Sequence, residues 1–171
     1  MAALRDSARF APDPLATMTA YDVDKLMAEA RRLAADYHKA TGQTLPLSNE
    51  IARHDAMRLL ALQAPANAIA GVDAIGTGER AALTFQIKGR VMFEDSRTRH
   101  RVGQLGFDGH WNVVVLVLMD ENYQPLELIE ASREQLSAAL AELKPNKRGA
   151  MTVARFRNLG CVVWQAGKQA A

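Results

Sequence analysis

Asp73 stands thirteen residues ahead of Gln86, and Lys88 follows two residues after that. Residues two apart on a strand share a face and lie about 7 Å from one another, so Gln86 and Lys88 present an amide and an ammonium side by side. If Asp73 sits on a neighbouring strand, a carboxylate joins them. Such a trio can hold a hard divalent cation through oxygen, keep a water near it, and offer positive charge to the oxygens of a reacting phosphate. The competing reading is a surface ion pair between Asp73 and Lys88, worth about 0–1 kcal/mol and without chemical consequence.

The elements needed to assemble that trio are legible along the chain. Thr19 with Asp22 resembles a capping box opening a helix, in which Val23, Leu26, Met27, Ala30, Leu33, Ala34 and Tyr37 form an apolar stripe before Gly42. The stripe could pack on the core or on a second copy of the chain. A second helix is expected from a Ser48 cap to about Gln63, with Ala52, Ala56, Leu59 and Leu60 inward and Pro65 as its stop. Gly71 to Ile75 then reads as a short strand. Residues 82–90 alternate cleanly as a longer one, with Leu83, Phe85 and Ile87 on one side and Gln86, Lys88 and Arg90 on the other. Residues 94–110 read as a long exposed loop. Asn112 to Met119 is almost wholly aliphatic, as a strand buried on both faces should be, and Asp120-Glu121-Asn122 turns it into a partner around Leu126 to Ile129. A helix capped by Ser132, a helix over Thr152 to Leu159 ended by Gly160, and a short strand from Cys161 to Trp164 complete the order. The expected class is α/β, or α+β in a stricter vocabulary: a mixed central sheet flanked by helices. The domain plan is an N-terminal arm over 1–18 and a single domain over 19–171.

With the motif and its elements in place, the chain resembles the PD-(D/E)xK nuclease superfamily. The match lies in a helix, the strand Gly71-Val72-Asp73, and Gln86-Ile87-Lys88-Gly89-Arg90 on the next strand, and it is closest to the Mrr-type restriction enzymes that carry glutamine in the middle motif. It covers roughly residues 48–131, with a weaker match toward 165. The resemblance implies a restriction endonuclease-like core of a helix, three strands, a helix and a strand, here preceded by an extra N-terminal helix. It implies Mg²⁺ or Mn²⁺ as cofactor, held by Asp73 and Gln86, with Glu50 as the helix carboxylate near the metal. Lys88 would position or activate water, so Asp73, Gln86, Lys88 and Glu50 form the implied catalytic set. Two departures stand out. Val72 replaces the usual proline, and Gln86 replaces an acid, which removes a negative charge from the site and lowers its expected affinity for Mg²⁺. Loss of catalysis, leaving a module that binds nucleic acid or protein on the same scaffold, is the alternative. Glu50 also has a reading without metal, since an acid in the first turn favours the helix dipole.

The charge distribution bears on the partner. Twenty-one Lys and Arg against nineteen Asp and Glu leave a net charge of +2, too small by itself to signal nucleic acid. The distribution is more telling. From Asp120 to Leu143 six acids oppose Arg133 alone, whereas Lys144, Lys147, Arg148, Arg155 and Arg157 run without an acid. With Arg90, Arg97, Arg99 and Arg101 these bases form the expected contact surface for DNA phosphates, although such runs are often simply solvated. His54-Asp55 invites comparison with H-D metal phosphohydrolases, but His38, His100 and His110 do not complete that pattern. Trp111 and Trp164 are expected to be core or interface anchors.

At 171 residues, with 49% hydrophobic and 23% charged residues, the chain suits one globular domain. Its lone Cys161 excludes an internal disulfide and a thiolate zinc cluster, and makes a reducing cytoplasm the expected setting. The longest apolar run, Val113 to Met119, falls well short of the roughly 20 residues that span a bilayer. No membrane partner is expected. A homodimer is an option, since a nuclease of this size needs two copies to cut both strands and the first helix could supply the interface.

Overall fold

The structure, a computed structural model, describes residues 20–93, 100–141 and 150–168. The arm expected over 1–18 and the basic residues Arg97, Arg99, Lys144, Lys147 and Arg148 lie outside that description. The described chain is mixed α/β, with four α-helices and a mixed five-stranded sheet.

Helix α1 spans Ala20–Thr41 and ends at Gly42, whose N–H donates to the His38 carbonyl at 2.8 Å. The face it buries shares only Ala34 and the half-buried Met27, Ala30 and Tyr37 with the stripe expected from the sequence. Ala34 and Ala35 pack inward together with Arg31, while Val23, Leu26 and Leu33 are 36%, 51% and 58% exposed. Alanines let the helix sit close. The Arg31 guanidinium then reaches the buried Asp55 carboxylate and the Tyr123 carbonyl, an inward role that no hydrophobic pattern assigns to arginine.

Helix α2 (Ser48–Leu59) lays Ile51, Ala52 and Ala56 onto strand β2 (Thr84–Val91). The approach is close enough that a Cβ at Gly89 would fall 2.3 Å from the Ser48 carbonyl oxygen and 2.7 Å from the Ala52 Cβ. The helix stops four residues earlier than expected. Ala61 takes φ 51°, and Gln63 is drawn into paired backbone bonds with Ile75 at 2.9 and 2.8 Å, so the chain has left the helix before Pro65.

Strand β1 (Ala74–Ile75) is only two residues long, because Val72 turns back to bond the Ile69 carbonyl. It runs antiparallel to β2, with Ala74 opposite Phe85. Strand β3 (Arg101–Gln104) lies within the segment expected to be a loop. It is short and half polar, so neither period nor composition marks it. Strand β4 (Val113–Met119) runs parallel to β2, and β5 (Pro125–Ser132) returns antiparallel to β4. Helix α3 (Arg133–Ala141) follows the predicted Ser132 cap, whose hydroxyl accepts from the Gln135 N–H at 3.3 Å. Strand β6 (Ala150–Thr152) pairs with β3 in a separate two-stranded sheet. Helix α4 (Val153–Leu159), capped by Thr152, leads into β7 (Cys161–Gln165) beside β5. The main sheet has the order β1-β2-β4-β5-β7.

Two cores clad this sheet. Phe85, Ile87, Val115, Val117 and Met119 pack with residues of α1 and α2 on one face. Val114, Leu116, Leu118 and Ile129 pack with Leu136 of α3, Phe156 of α4 and Val102 of β3 on the other. Burial of β4 on both faces accounts for its unbroken aliphatic sequence. Among the described residues no helix is long and apolar enough to cross a membrane.

Candidate functional site

Alternation along β2 decides which side chains meet. Phe85, Ile87 and Val91 enter the core beneath α1 and α2, so Gln86, Lys88 and Arg90 project from the opposite face. Asp73 sits just before β1, with its N–H bonded to the Phe85 carbonyl at 2.8 Å. There the two-residue strand leaves the edge of β2 uncovered. The Asp73 carboxylate takes over the missing pairing, with Oδ2 accepting the Ile87 N–H at 2.7 Å. One step further, Asn49 Oδ1 on α2 accepts the Gly89 N–H at 3.0 Å.

The other oxygen of Asp73 is engaged as well. Arg53, on α2, places Nη2 3.2 Å from Asp73 Oδ1 and Nη1 3.4 Å from Glu50 Oε2. The guanidinium therefore bridges the two carboxylates that the nuclease resemblance places at a metal. Glu50 is itself exposed.

Gln86 is 6% exposed. Its Nε2 donates a long bond of 3.4 Å to the Gly71 carbonyl, and its Oε1 is buried with no hydrogen-bond partner. A buried acceptor in that state costs about 1–3 kcal/mol unless something donates to it or coordinates it. The wall around it is a crossing of two loops. Gly71, at φ 73°, lies so close to Gly109 that a Cβ on either would fall within 3 Å of the other's Cα. Arg133 fixes the second loop, donating to the carbonyls of Gly109 at 2.6 Å, Trp111 at 3.1 Å and Phe107. Trp111 is buried as expected, its indole N–H bonded to the Gly106 carbonyl at 2.6 Å.

Lys88 is half-buried, and no hydrogen bond or ion pair ties its side chain to another described residue. Burial pushes its ammonium below the ordinary lysine range. The Asp73 carboxylate pulls it back up, and the neighbouring Arg90 pushes it further down. Asp73 and Lys88 are thus within electrostatic reach, without an ion pair between them.

As donors for a hard cation these residues fit in part. The orphaned Gln86 oxygen and the Asp73 carboxylate are ligands of the right kind. Glu50 points to Arg53 instead, and among the described residues no three His, Cys, Asp or Glu side chains group in a way that could hold a metal.

The expected phosphate contacts are distributed differently. Arg90 ties β3 to β2, donating to the carbonyls of Gly89 at 2.6 Å, Val102 at 2.8 Å and Arg101. Arg155 donates to the Ala139 carbonyl at 2.9 Å, and Arg157 is ion-paired with Glu127. Arg101 is exposed on β3. An open groove of about 450 Å³ beside α4 is lined by Met92, His100, Thr152, Val153, Ala154 and Arg157. His54 and Asp55 serve separate partners, His54 Nε2 meeting Asp24 at 2.9 Å and Asp55 meeting Arg31.

Arg53 and Asn49 were not identified from the sequence. The only available signal was the three-residue spacing of Glu50 and Arg53 on a helix, which places them on one face. No protein-family model matches the chain, and no curated protein matches it.

Proposed function

We propose that the chain is a Mg²⁺- or Mn²⁺-dependent phosphodiesterase acting on DNA, built on a restriction endonuclease-like core of the PD-(D/E)xK kind. The observation that carries this reading is the buried, unpartnered Gln86 oxygen on the same strand face as a desolvated Lys88 within reach of Asp73. A polar atom left orphaned in a core calls for a donor, a water or an ion, at Gln86 as at Asp55 Oδ2 and Tyr123 Oη. Asp73 and Gln86 would hold the cation, which supplies a Lewis acid and a more acidic water when bound. Lys88 faces the reacting phosphate. Its lowered pKa gives it more of the neutral amine than an ordinary lysine has, suiting it to accept a proton from attacking water, while its charged form stabilises phosphate oxygens. Arg53 serves as the resident counter-ion of Asp73 and Glu50, and at 39% exposure its side chain has room to move aside.

Plasmid nicking with Mg²⁺ or Mn²⁺, with and without chelator, tests the reading. Asp73→Asn keeps an acceptor for the Ile87 amide while removing the charge. It and Lys88→Ala are each expected to lose at least about a hundredfold in rate. Gln86→Glu is expected to bind Mn²⁺ more tightly by calorimetry, since it restores the missing charge. Silence of the wild type on single- and double-stranded DNA, together with no gain in Mn²⁺ binding by Gln86→Glu, would overturn the proposal.

The Arg53 bridge favours a second reading, a non-catalytic module that grips nucleic acid. Salt-sensitive DNA binding indifferent to chelator would support it.

A further inference from the structure

The turn that walls Gln86 carries a carboxylate of its own. Residues 106–109 close through the Gly109 N–H, which donates to the Gly106 carbonyl at 3.1 Å, and Phe107 and Asp108 stand at the tip. Arg133 holds the carbonyls on either side of Asp108, those of Phe107 and Gly109. The His110 N–H donates to the Ala70 carbonyl at 2.9 Å, and Gly109 rests against Gly71. Asp108 is therefore carried on a fixed turn, docked by its backbone on the loop that leads into Asp73.

Between Asp108 and Gln86 lies a gap that a glycine keeps open. A Cβ on Gly106 would stand 3.2 Å from Asp108 Oδ1 and 4.0 Å from Gln86 Nε2, so the carboxylate and the amide flank the space of one methyl group. Gly106 is not one of the glycines with positive φ, so its backbone does not demand the residue and the space does. An exposed aspartate in a turn needs no explanation by itself. This one has no hydrogen bond or ion pair with another described residue, and across the gap lies an amide that is 6% exposed with its oxygen orphaned.

A hard cation accounts for these features together, because it seeks oxygen ligands and negative charge. Asp73 with the Gln86 amide offers a single negative charge, and Arg53 already stands against it. Asp108 adds a second, the count that an acid at position 86 would have given. Mg²⁺ sheds water reluctantly and keeps several waters when bound, so a carboxylate at the rim acts on it through a bound water as well as directly.

We propose that Asp108 supplies the negative charge that position 86 lacks, so that Asp73, the Gln86 oxygen and Asp108 form one divalent-cation site beside Gly106. The set is two acids and an amide. The proposal rests on the phosphodiesterase reading, which gives Asp73 and Gln86 to the cation.

Calorimetric titration of the full chain with Mn²⁺, without DNA, reads the site independently of activity. Asp108→Asn is expected to bind Mn²⁺ at least about tenfold more weakly than wild type, with circular dichroism unchanged. Gly106→Ala fills the gap and is expected to weaken binding in the same direction. The decisive variant combines Gln86→Glu with Asp108→Asn, which moves the charge without changing its amount, and it is expected to recover most of the lost affinity. Mn²⁺ binding that Asp73→Asn abolishes and Asp108→Asn leaves intact would overturn this proposal alone. A loss at Asp108→Asn that the double variant does not recover would overturn it too, by showing that Asp108 serves the turn and not the cation. Absence of Mn²⁺ binding by the wild type would overturn both the proposal and the reading beneath it.

Discussion

At the scale of the residue, Lys88 holds a charge that its surroundings disfavour. Its folded pKa lies below the unfolded value of 10.5, so between the two the unfolded chain binds more protons. Stability therefore rises with pH through that window, and the penalty is present in full below the folded pKa. Lys88→Met fills similar space without charge. Thermal melts should show it more stable than wild type at about pH 7, with the gain shrinking as the pH approaches 10.5. A difference that ignores pH would show that packing, not charge, governs the position. Gain of stability with loss of activity is the pattern expected where a functional group is held against its preference. The sequence could join Asp73 to Lys88 because both belong to one hairpin. It could not anticipate Arg53, which reaches Asp73 from a helix twenty residues upstream, nor the isolation of the Gln86 oxygen, which is a matter of tertiary packing.

Among the elements, the α2–β2 contact has the least tolerance. Gly89 is the point at which the helix backbone rests on the strand, with space for a hydrogen and none for a methyl. Gly89→Ala should cost about 1–3 kcal/mol by overpacking, read from the midpoint of urea unfolding. Because Gly89 follows Lys88, the same change should disturb the site. Retention of full stability would mean that α2 lifts away freely. Elements with one dominant signal were the legible ones. Strand β4 is apolar throughout and buried on both faces, and α4 has both its Thr152 cap and its Gly160 stop. Strands β3 and β6 were hidden because each is three or four residues long and their pairing partners lie far apart in sequence. Helix α1 was identified, but the stripe read for it took in the exposed Val23, Leu26 and Leu33 and missed the buried Arg31 and Ala35, because apolar spacing gives no signal for an inward arginine.

For the molecule as a whole, Arg31 acts as a clasp. From α1 it reaches Asp55 on α2 and the Tyr123 carbonyl in the β4–β5 turn, joining three elements through one guanidinium. Asp55 is fully buried, so Asp55→Ala strands a cation in the core. Such losses run to about 3–5 kcal/mol, a large share of the total stability of about 5–15 kcal/mol expected for a domain. Guanidinium unfolding should show that drop, and a change below about 1 kcal/mol would mean that Arg31 finds another partner. The uncovered edge of β2 has a consequence at the same scale. A strand edge with bare amides is a template for pairing with other chains, and this one is closed by two side chains, Asp73 and Asn49, where a strand would otherwise lie. The carboxylate assigned to chemistry is thus also a guard against edge-to-edge aggregation. An alanine at position 73 would open a sticky edge as it removed a ligand, and precipitation of that variant could pass for loss of catalysis.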